Sequence, residues 1–338
     1  AQAAQHLWER LWPRRVAPLG MAEPDGGLLV GAAALVLALA VVAVFFLRKP
    51  RVFLDKTRKR VQIVDIKDLS PDTKRFRLSL GSQSTILGLP TGKHIVCYAP
   101  NPQSAIETEK WNDRPDADRG AREIERKYTP VTGDETPGYV DLVVKIYRPG
   151  TVTMPDGKEV SWTDGGKYSL FLDQRKTGDF IEIMGPVGLH EYFGRGNFKM
   201  AGQPKPQQFE HVGMMAGGTG LTPMMQVVQK ALRDSGDTCK FTLLYANKTE
   251  SDILCRDMLD ELERQSQGRF KVHYTLDFPP AGWTGKTGFI TQDMIKECLP
   301  PVSAKPLMLM CGPPPMVKFA CRENLEALGY DKKLFITF

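Results

Sequence analysis

Gly26 to Leu47 is a run of 22 residues without a charged side chain, GGLLVGAAALVLALAVVAVFFL. As a helix rising about 1.5 Å per residue it spans about 33 Å, enough for a bilayer core of about 30 Å. A buried helix of a globular core would carry a polar stripe, and none is visible. A cleaved signal peptide would carry its basic segment ahead of the apolar run and a small-residue cleavage site behind it. Here the stronger basic cluster follows the run, beginning at Arg48-Lys49. The run therefore reads as one transmembrane anchor. Seven basic residues lie in 48–60, against Arg10, Arg14 and Arg15 before the span, which places the large C-terminal part on the cytosolic side. Residues 1–25 are a leader of no assigned role.

The chain has 338 residues, about two domains' worth at about 150 per domain. Its 42% hydrophobic and 25% charged residues exclude a disordered chain, a collagen-like fibre and a polytopic membrane protein. The net charge of +6 is local: the seven cations of 48–60 against Asp55 already supply it. A nucleic-acid surface would spread such charge over a folded face, so no nucleic-acid partner is expected. The six cysteines form no Cys-x-x-Cys pair. Scattered free thiols fit a reducing compartment and argue against a disulfide scaffold or a structural zinc site. His94, His190, His211 and His273 share no metal-ligand spacing and are read as structural, so no metal site is expected.

After a basic juxtamembrane linker over 48–60, the pattern becomes strand-like. In 74–80, Phe76, Leu78 and Leu80 alternate with polar residues, and in 140–147, Val140, Leu142, Val144 and Ile146 share a face. With 93–98 and 180–184, and Pro/Gly turns between, this predicts an antiparallel barrel or sandwich over 61–195. Residues 101–126, almost without apolar side chains, interrupt it as an exposed loop. Residues 196–209 form a linker. From 210 to 338, strands (211–216, 241–246, 270–276, 307–310) alternate with helices (223–234, 252–265, 291–298, 315–328). That alternation predicts an α/β domain with a parallel sheet of Rossmann-like kind. The fold class expected is thus an N-terminal transmembrane helix, an antiparallel β-barrel and a parallel-sheet α/β domain.

Four motifs carry chemistry. Gly217-Gly218-Thr219-Gly220-Leu221-Thr222-Pro223 lies between a strand and an amphipathic helix, with Thr222 as helix cap and Pro223 in the first turn. Its glycines allow close approach of a phosphate, or simply a tight packing turn. Cys311-Gly312-Pro313-Pro314-Pro315-Met316 follows an apolar strand at the same edge, as either a ligand loop or a buried thiol with a rigid turn. Arg126-Lys127-Tyr128-Thr129 sets a cation and a ring on one face of an extended strand, with Thr129 opposite. The alternative there is an edge strand with a surface tyrosine. Gly165-Gly166-Lys167-Tyr168-Ser169 opens a second possible helix with free amides.

In this order, Arg-x-Tyr-Thr, GGKYS, GGTGLTPM and CGPPPM resemble the NADH–cytochrome b5 reductase family, within the ferredoxin–NADP reductase superfamily. The resemblance spans about 52–338, including LGLPTGKHI, LLYANKTESDILCRD and LFITF. It implies FAD in the barrel domain and NADH in the α/β domain. By that resemblance Arg126 holds the FAD pyrophosphate, Tyr128 lies along the flavin and Thr129 lies near its N5. Gly166, Lys167, Tyr168 and Ser169 contact phosphate, Val144, Ile146 and Tyr147 line the FAD site with Thr222, and Lys145 faces NADH. Gly217, Gly218, Thr219, Gly220 and Pro223 shape the nicotinamide pocket, and Cys311, Gly312, Pro313 and Met316 close it. Asp252 meets the adenosine ribose and favours NADH over NADPH. Thr129, Thr219 and Cys311 stand at the point of reaction.

The resemblance further implies hydride transfer from NADH to FAD and then single electrons to cytochrome b5, by a monomer anchored in the endoplasmic reticulum or outer mitochondrial membrane. Cytochrome b5 presents acidic residues around its haem edge, so a basic rim is expected, with Lys167 first and Lys93, Lys127 and Lys145 after it. Other acceptors, such as a nitrate reductase-type haem domain or a quinone, and a non-catalytic membrane-tethered module are the alternatives. Two departures from the family stand out. Lys127 replaces the proline usual in animal members, and 101–126 is longer than the family pattern.

Overall fold

The computed structural model describes residues 50–153, 157 and 159–338. The apolar run 26–47 lies outside them, and among the described residues no helix is long and apolar enough to cross a membrane.

Six antiparallel strands build the first domain: β1 (Lys59–Ser70), β2 (Thr73–Ser79), β3 (His94–Pro100), β4 (Glu123–Tyr128), β5 (Tyr139–Lys145) and β6 (Phe180–Val187), in the order β4-β3-β6-β1-β2-β5. The 12-residue β1 changes partner along its length: Lys59–Gln62 pair with β6, and Ile63 onward pairs with β2. Closure comes from the segment after β4. Val131 N donates to Asp141 O at 3.0 Å, and Asp141 N to Thr132 Oγ at 2.9 Å. The alternation anticipated for 74–80 and 140–147 turns inward, with Phe76, Leu78, Val140 and Leu142 in one core. Helix α1 (Lys167–Asp173) covers that core with Tyr168 and Leu172.

The second domain is an all-parallel sheet: β7 (His211–Gly217), β8 (Lys240–Asn247), β9 (Phe270–Leu276), β10 (Lys286–Thr287), β11 (Leu307–Cys311) and β12 (Phe335–Thr337), in the order β10-β9-β8-β7-β11-β12. Helices α2 (Leu221–Arg233), α3 (Arg256–Gln265) and α4 (Gln292–Cys298) and a final helix over 316–327 cover it. Both faces are buried, which is why β7 reads as unbroken apolar sequence. Met214 enters the core on one side and Met215 the core on the other.

Four segments differ from expectation. The barrel begins before residue 61: Arg51–Val52 pair with Thr85–Ile86, and Leu54 enters the barrel core. Residues 196–209 are not a free linker, because Asn197–Lys199 forms a strand and Phe198, Met200 and Phe209 enter the second core. The helix expected over 252–265 starts only at Arg256, since Cys255 takes a left-handed φ of 57°. Met258 consequently lies exposed and Leu259 is the buried side chain. Finally, 101–126 is an ordered insertion with a helix (Gln103–Thr108) and a hairpin (Lys110–Trp111 with Arg114–Pro115) before β4. Beyond buried Ala105 and Ile124, polar contacts order it.

Candidate active site

Strands β7 and β11 are neighbours whose connections leave in different directions, so a crevice opens beyond their carboxyl ends. The glycine turn and the Cys311–Met316 loop meet there. A Cβ on Gly220 would lie 2.5 Å from the Cys311 carbonyl carbon and 2.9 Å from Gly312 N, closer still to the Cys311 carbonyl oxygen. Only glycine permits that approach. Met316 Sδ closes against Gly217 and Gly312. Gly218 has φ +53°, and its carbonyl accepts from the Tyr245 hydroxyl at 3.0 Å. Gly218–Gly220 is already a helical turn that runs into α2, so the cap expected of Thr222 is not made. Thr222 lies inside the helix and its hydroxyl donates to Thr219 O at 3.2 Å. Pro223 remains in the first turn, where no N–H is needed.

Thr219, Cys311, Gly312 and Met316 are half-buried and Pro313 is exposed. Burial pushes the Cys311 thiol up to about 11, so it is protonated at neutral pH and a poor nucleophile. Asp252 follows β8, as a ribose carboxylate would, and closes a capping box: Oδ2 accepts from Thr249 N at 3.0 Å and Thr249 Oγ at 2.7 Å. Sequence reasoning missed Asn247, the last residue of β8, whose buried amide has no partner on either atom. An unpaired buried amide at the sheet's carboxyl edge fits a polar ligand entering there.

On the barrel side, Arg126 and Tyr128 share the face of β4 that carries buried Ile124, and Lys127 points out, as the strand reading requires. Thr129 follows the strand end, half-buried. Tyr128 packs on Tyr168 at 5.6 Å between ring centroids, and burial raises its phenol well above the ordinary range. The Tyr168 ring is itself core. Val144 and Ile146 also fill the core, and Tyr147 is the exposed side chain of that strand end. Gly166 N donates to Tyr147 O at 2.8 Å, Tyr147 N donates to Ser169 Oγ at 3.1 Å, and Ser169 Oγ donates to Gly166 O at 3.0 Å. Lys145 pairs with Asp72 at 2.5 Å.

The insertion supplies groups no motif announced. Asp118 bridges Arg126, and Asp116 holds Lys167 Nζ at 2.5 Å. The Arg126 hydrogen bond, with a smaller contribution from Lys167, lowers the Asp118 carboxyl below its ordinary range. Lys167 is buried to 2% of its side chain, so it cannot form part of a docking rim; this corrects the sequence expectation. The donors offered to a dinucleotide diphosphate are two cations, each paired with a carboxylate, and the first-turn amides of α1, which no side chain caps; the Gly165 and Gly166 amides are taken by Asn112 Oδ1 and Tyr147 O.

The domains meet along β5. Val143 belongs to the same apolar cluster as Ala216 and Leu221, with Val131 and Cys311 at its edge. Gly92 N donates to Gln226 Oε1 at 2.7 Å, and Arg233 pairs with Glu135 at 2.7 Å across the junction.

The oxidoreductase FAD-binding domain family matches residues 60–109 and 116–192, and the oxidoreductase NAD-binding domain family matches 214–322. NADH-cytochrome b5 reductase 1 of Rattus norvegicus is 41% identical over 308 residues, covering 89% of this chain and 93% of that protein. The chain belongs to the NADH–cytochrome b5 reductase family. It is an FAD-dependent oxidoreductase using NADH. NADH-cytochrome b5 reductase 2 of Xenopus laevis is 42% identical, covering 84% of this chain and 90% of the relative. The cytochrome b5 reductase domain of Ulva prolifera nitrate reductase superposes with a TM-score of 0.71 at 36% identity, covering 85% of this chain and 99% of that domain. The break in the FAD-domain match, between 109 and 116, falls on the hairpin of the insertion.

Proposed function

We propose that this reductase passes electrons from NADH through FAD to cytochrome b5 while anchored in a membrane by residues 26–47. The observation that carries the reading is the seam: the glycine turn and Cys311 loop of the NADH domain pack on β5 of the barrel, whose far end leads to Tyr147 and the 165–169 loop. Bound FAD and NADH supply the redox chemistry, two electrons in and single electrons out. The protein supplies position. Arg126 holds the FAD diphosphate together with the amides of Lys167, Tyr168 and Ser169, while Gly166, whose own amide is held by Tyr147 O, leaves the approach open by having no side chain. Tyr128 and Tyr147 flank the flavin, and Thr129 stands near its N5. The turn from Gly217 to Gly220 admits the nicotinamide closely because it carries no side chain there, and Cys311 packs behind it as a neutral thiol. Thr222 and Pro223 fix the start of α2, and Asp252 and Asn247 receive the adenosine end.

Encounter with an acidic haem protein uses the exposed basic rim. Lys93 is paired with Glu191 and Lys145 with Asp72, whereas among the described residues Lys127 has no ion-pair partner. Lys127 is therefore the docking cation. The encounter is transient and the enzyme acts as a monomer on the cytosolic face of the endoplasmic reticulum or outer mitochondrial membrane. The likeness to a nitrate reductase domain favours one second reading, delivery to another haem acceptor. The test is a purified full chain. It should be yellow, bleach with NADH, and reduce cytochrome b5 at a rate that falls with salt. It should float with lipid vesicles only when 26–47 is present. Fast ferricyanide reduction with no cytochrome b5 reduction would move the acceptor to the second reading, and a protein that takes up no flavin would end both.

A further inference from the structure

Just after the break in the FAD-domain match, Asp116 and Asp118 bring two carboxylates to the cations of the site. Asp118 Oδ1 and Oδ2 accept from Arg126 Nη1 and Nη2 at 3.0 and 2.7 Å, and Nη1 also donates to Glu125 O at 2.7 Å. Three of the five guanidinium donors are thus engaged, including the paired edge that would grip a phosphate. Lys167 Nζ is shared between Asp116 at 2.5 Å and Asp118 at 3.2 Å. Two carboxylates therefore neutralise the two cations of the site. A diphosphate added to this cluster would put four negative charges around two positive ones in a part-buried space. One carboxylate has to leave.

The two acids are not equivalent. Asp116 is 4% exposed, its N–H donates to Glu109 O at 2.8 Å, and its partner Lys167 is equally sequestered. The preceding residues are tied to the 164–165 loop: Trp111 Nε1 donates to Gly165 O at 2.6 Å, Asn112 N donates to Asp164 Oδ2 at 2.6 Å, and Asn112 Oδ1 accepts from Asp164 N and Gly165 N at 2.8 and 2.9 Å. Asp118 sits instead on the turn over 117–120, between exposed Ala117 and Arg119 and ahead of Gly120 at φ +58°. That turn can swing without disturbing the hairpin.

We propose that Asp118 is a built-in carboxylate stand-in for the FAD diphosphate, holding the Arg126 fork until FAD takes it over, while Asp116, Lys167 and Asn112 stay in place. This rests on Arg126 being the diphosphate ligand. The exchange keeps Arg126 extended and ready, and it sets FAD affinity below what the cations alone would give.

The test is FAD rebinding to the deflavinated full chain, followed by quenching of flavin fluorescence, alongside thermal unfolding of the flavin-free protein. Asp118→Asn keeps the size and removes the charge. It should bind FAD about tenfold more tightly, equivalent to about 1.4 kcal/mol, and the flavin-free form should melt lower than wild type. Asp118→Ala should move both readouts the same way. Asp116→Asn should instead weaken FAD binding, because Lys167 loses its buried partner. Arg126→Gln separates the two ideas. If it weakens FAD binding while Asp118→Asn leaves it unchanged or weaker, the stand-in is wrong and Arg126 keeps its role. If Arg126→Gln binds FAD as wild type does, the Arg126 reading fails and takes the stand-in with it.

Discussion

Gly220→Ala isolates the close approach at the seam from every other property of the turn. Gly220 has φ −61° and ψ −7°, a conformation alanine adopts freely, so the substitution carries no backbone strain. The cost is steric alone. The new methyl would stand 2.5 Å from the Cys311 carbonyl carbon and closer still to its oxygen, so the Cys311 loop must retreat by at least about 0.9 Å to reach 3.4 Å, the near limit of ordinary contact. The neighbour is backbone, and it cannot turn aside. Overpacking of this kind costs about 1–3 kcal/mol, a fall of several degrees in melting temperature. A shift of about 1 Å in a positioning element lowers turnover by about 100-fold. The assay is steady-state NADH:ferricyanide reduction with flavin content measured on the same sample. Flavin should be retained, KM for NADH should rise and kcat should fall by about two orders of magnitude. Gly218→Ala separates backbone strain from the loop contact: nothing lies within 4 Å of its added Cβ, but its φ is positive, so it should lose about 1 kcal/mol of stability without displacing the Cys311 loop. A Gly220→Ala enzyme with wild-type kcat and KM would refute the contact between the two loops as the element that places the nicotinamide.

Cys311→Ser should retain FAD and lose turnover by about tenfold, and the wild-type thiol, held near 11 by burial, should resist iodoacetamide at pH 7; rapid alkylation there would contradict the buried placement. Burial likewise pushes the thiols of Cys97, Cys239 and Cys321 up to about 12 from 9.0. A folded pKa above the unfolded one gives stability that is complete below pH 9 and is lost as pH rises through 9–12. Melting temperature should fall steadily from pH 9 upward, and a flat profile to pH 11 would count against it. Asp141, 4% exposed and gripped by Arg77 Nε and Nη2 at 2.8 Å each, should cost about 3 kcal/mol when replaced by alanine, read by urea unfolding. Lys127→Glu should slow cytochrome b5 reduction and flatten its salt dependence without changing ferricyanide reduction; equal effects on both acceptors would remove Lys127 from the docking rim.

The periodic parts of the chain were legible because burial writes itself into sequence. Phe76, Leu78 and Leu80 are inward as their alternation required, and the α2 face of Met224, Val227, Val228 and Ala231 is buried throughout. Segments held by polar contacts carry no such signature. The insertion is ordered by Asn112, Trp111 and Asp116 acting on a loop some 50 positions away, and nothing in the local sequence names those partners. Lys167 shows the same gap: a lysine in a glycine-rich loop looks solvent-facing until a distant aspartate buries it. The 196–209 segment hid three core residues among prolines, glutamines and lysines, and Phe198 and Met200 alone, spaced as in a strand, are too few to establish a period. For the site, the motifs marked where the chain turns but not what those turns contact. Asp141 belongs to no motif, and Asn247 lies in the LLYANKTESDILCRD segment without being marked there as a site residue; only burial singles them out.

Strand β5 explains how two separately folded halves keep one geometry. Val140, Leu142 and Val144 point into the barrel core, while Val143, on the other face, joins the apolar cluster of the NADH domain. Asp141 lies on that second face too, fixed by Arg77, and its backbone closes the barrel through Val131 and Thr132. Because side chains alternate with period two, a one-residue slip would exchange the two faces and drive Asp141 into the barrel core. The register is thus held by both domains at once, through apolar burial on one side and a buried carboxylate on the other. A strand so constrained cannot slide, and its continuation into Tyr147 sets the 165–169 loop at a fixed distance from the glycine turn packed on Val143. Hydride transfer tolerates little error in separation, and the two turns proposed to hold the reacting groups are linked by one strand that both domains grip.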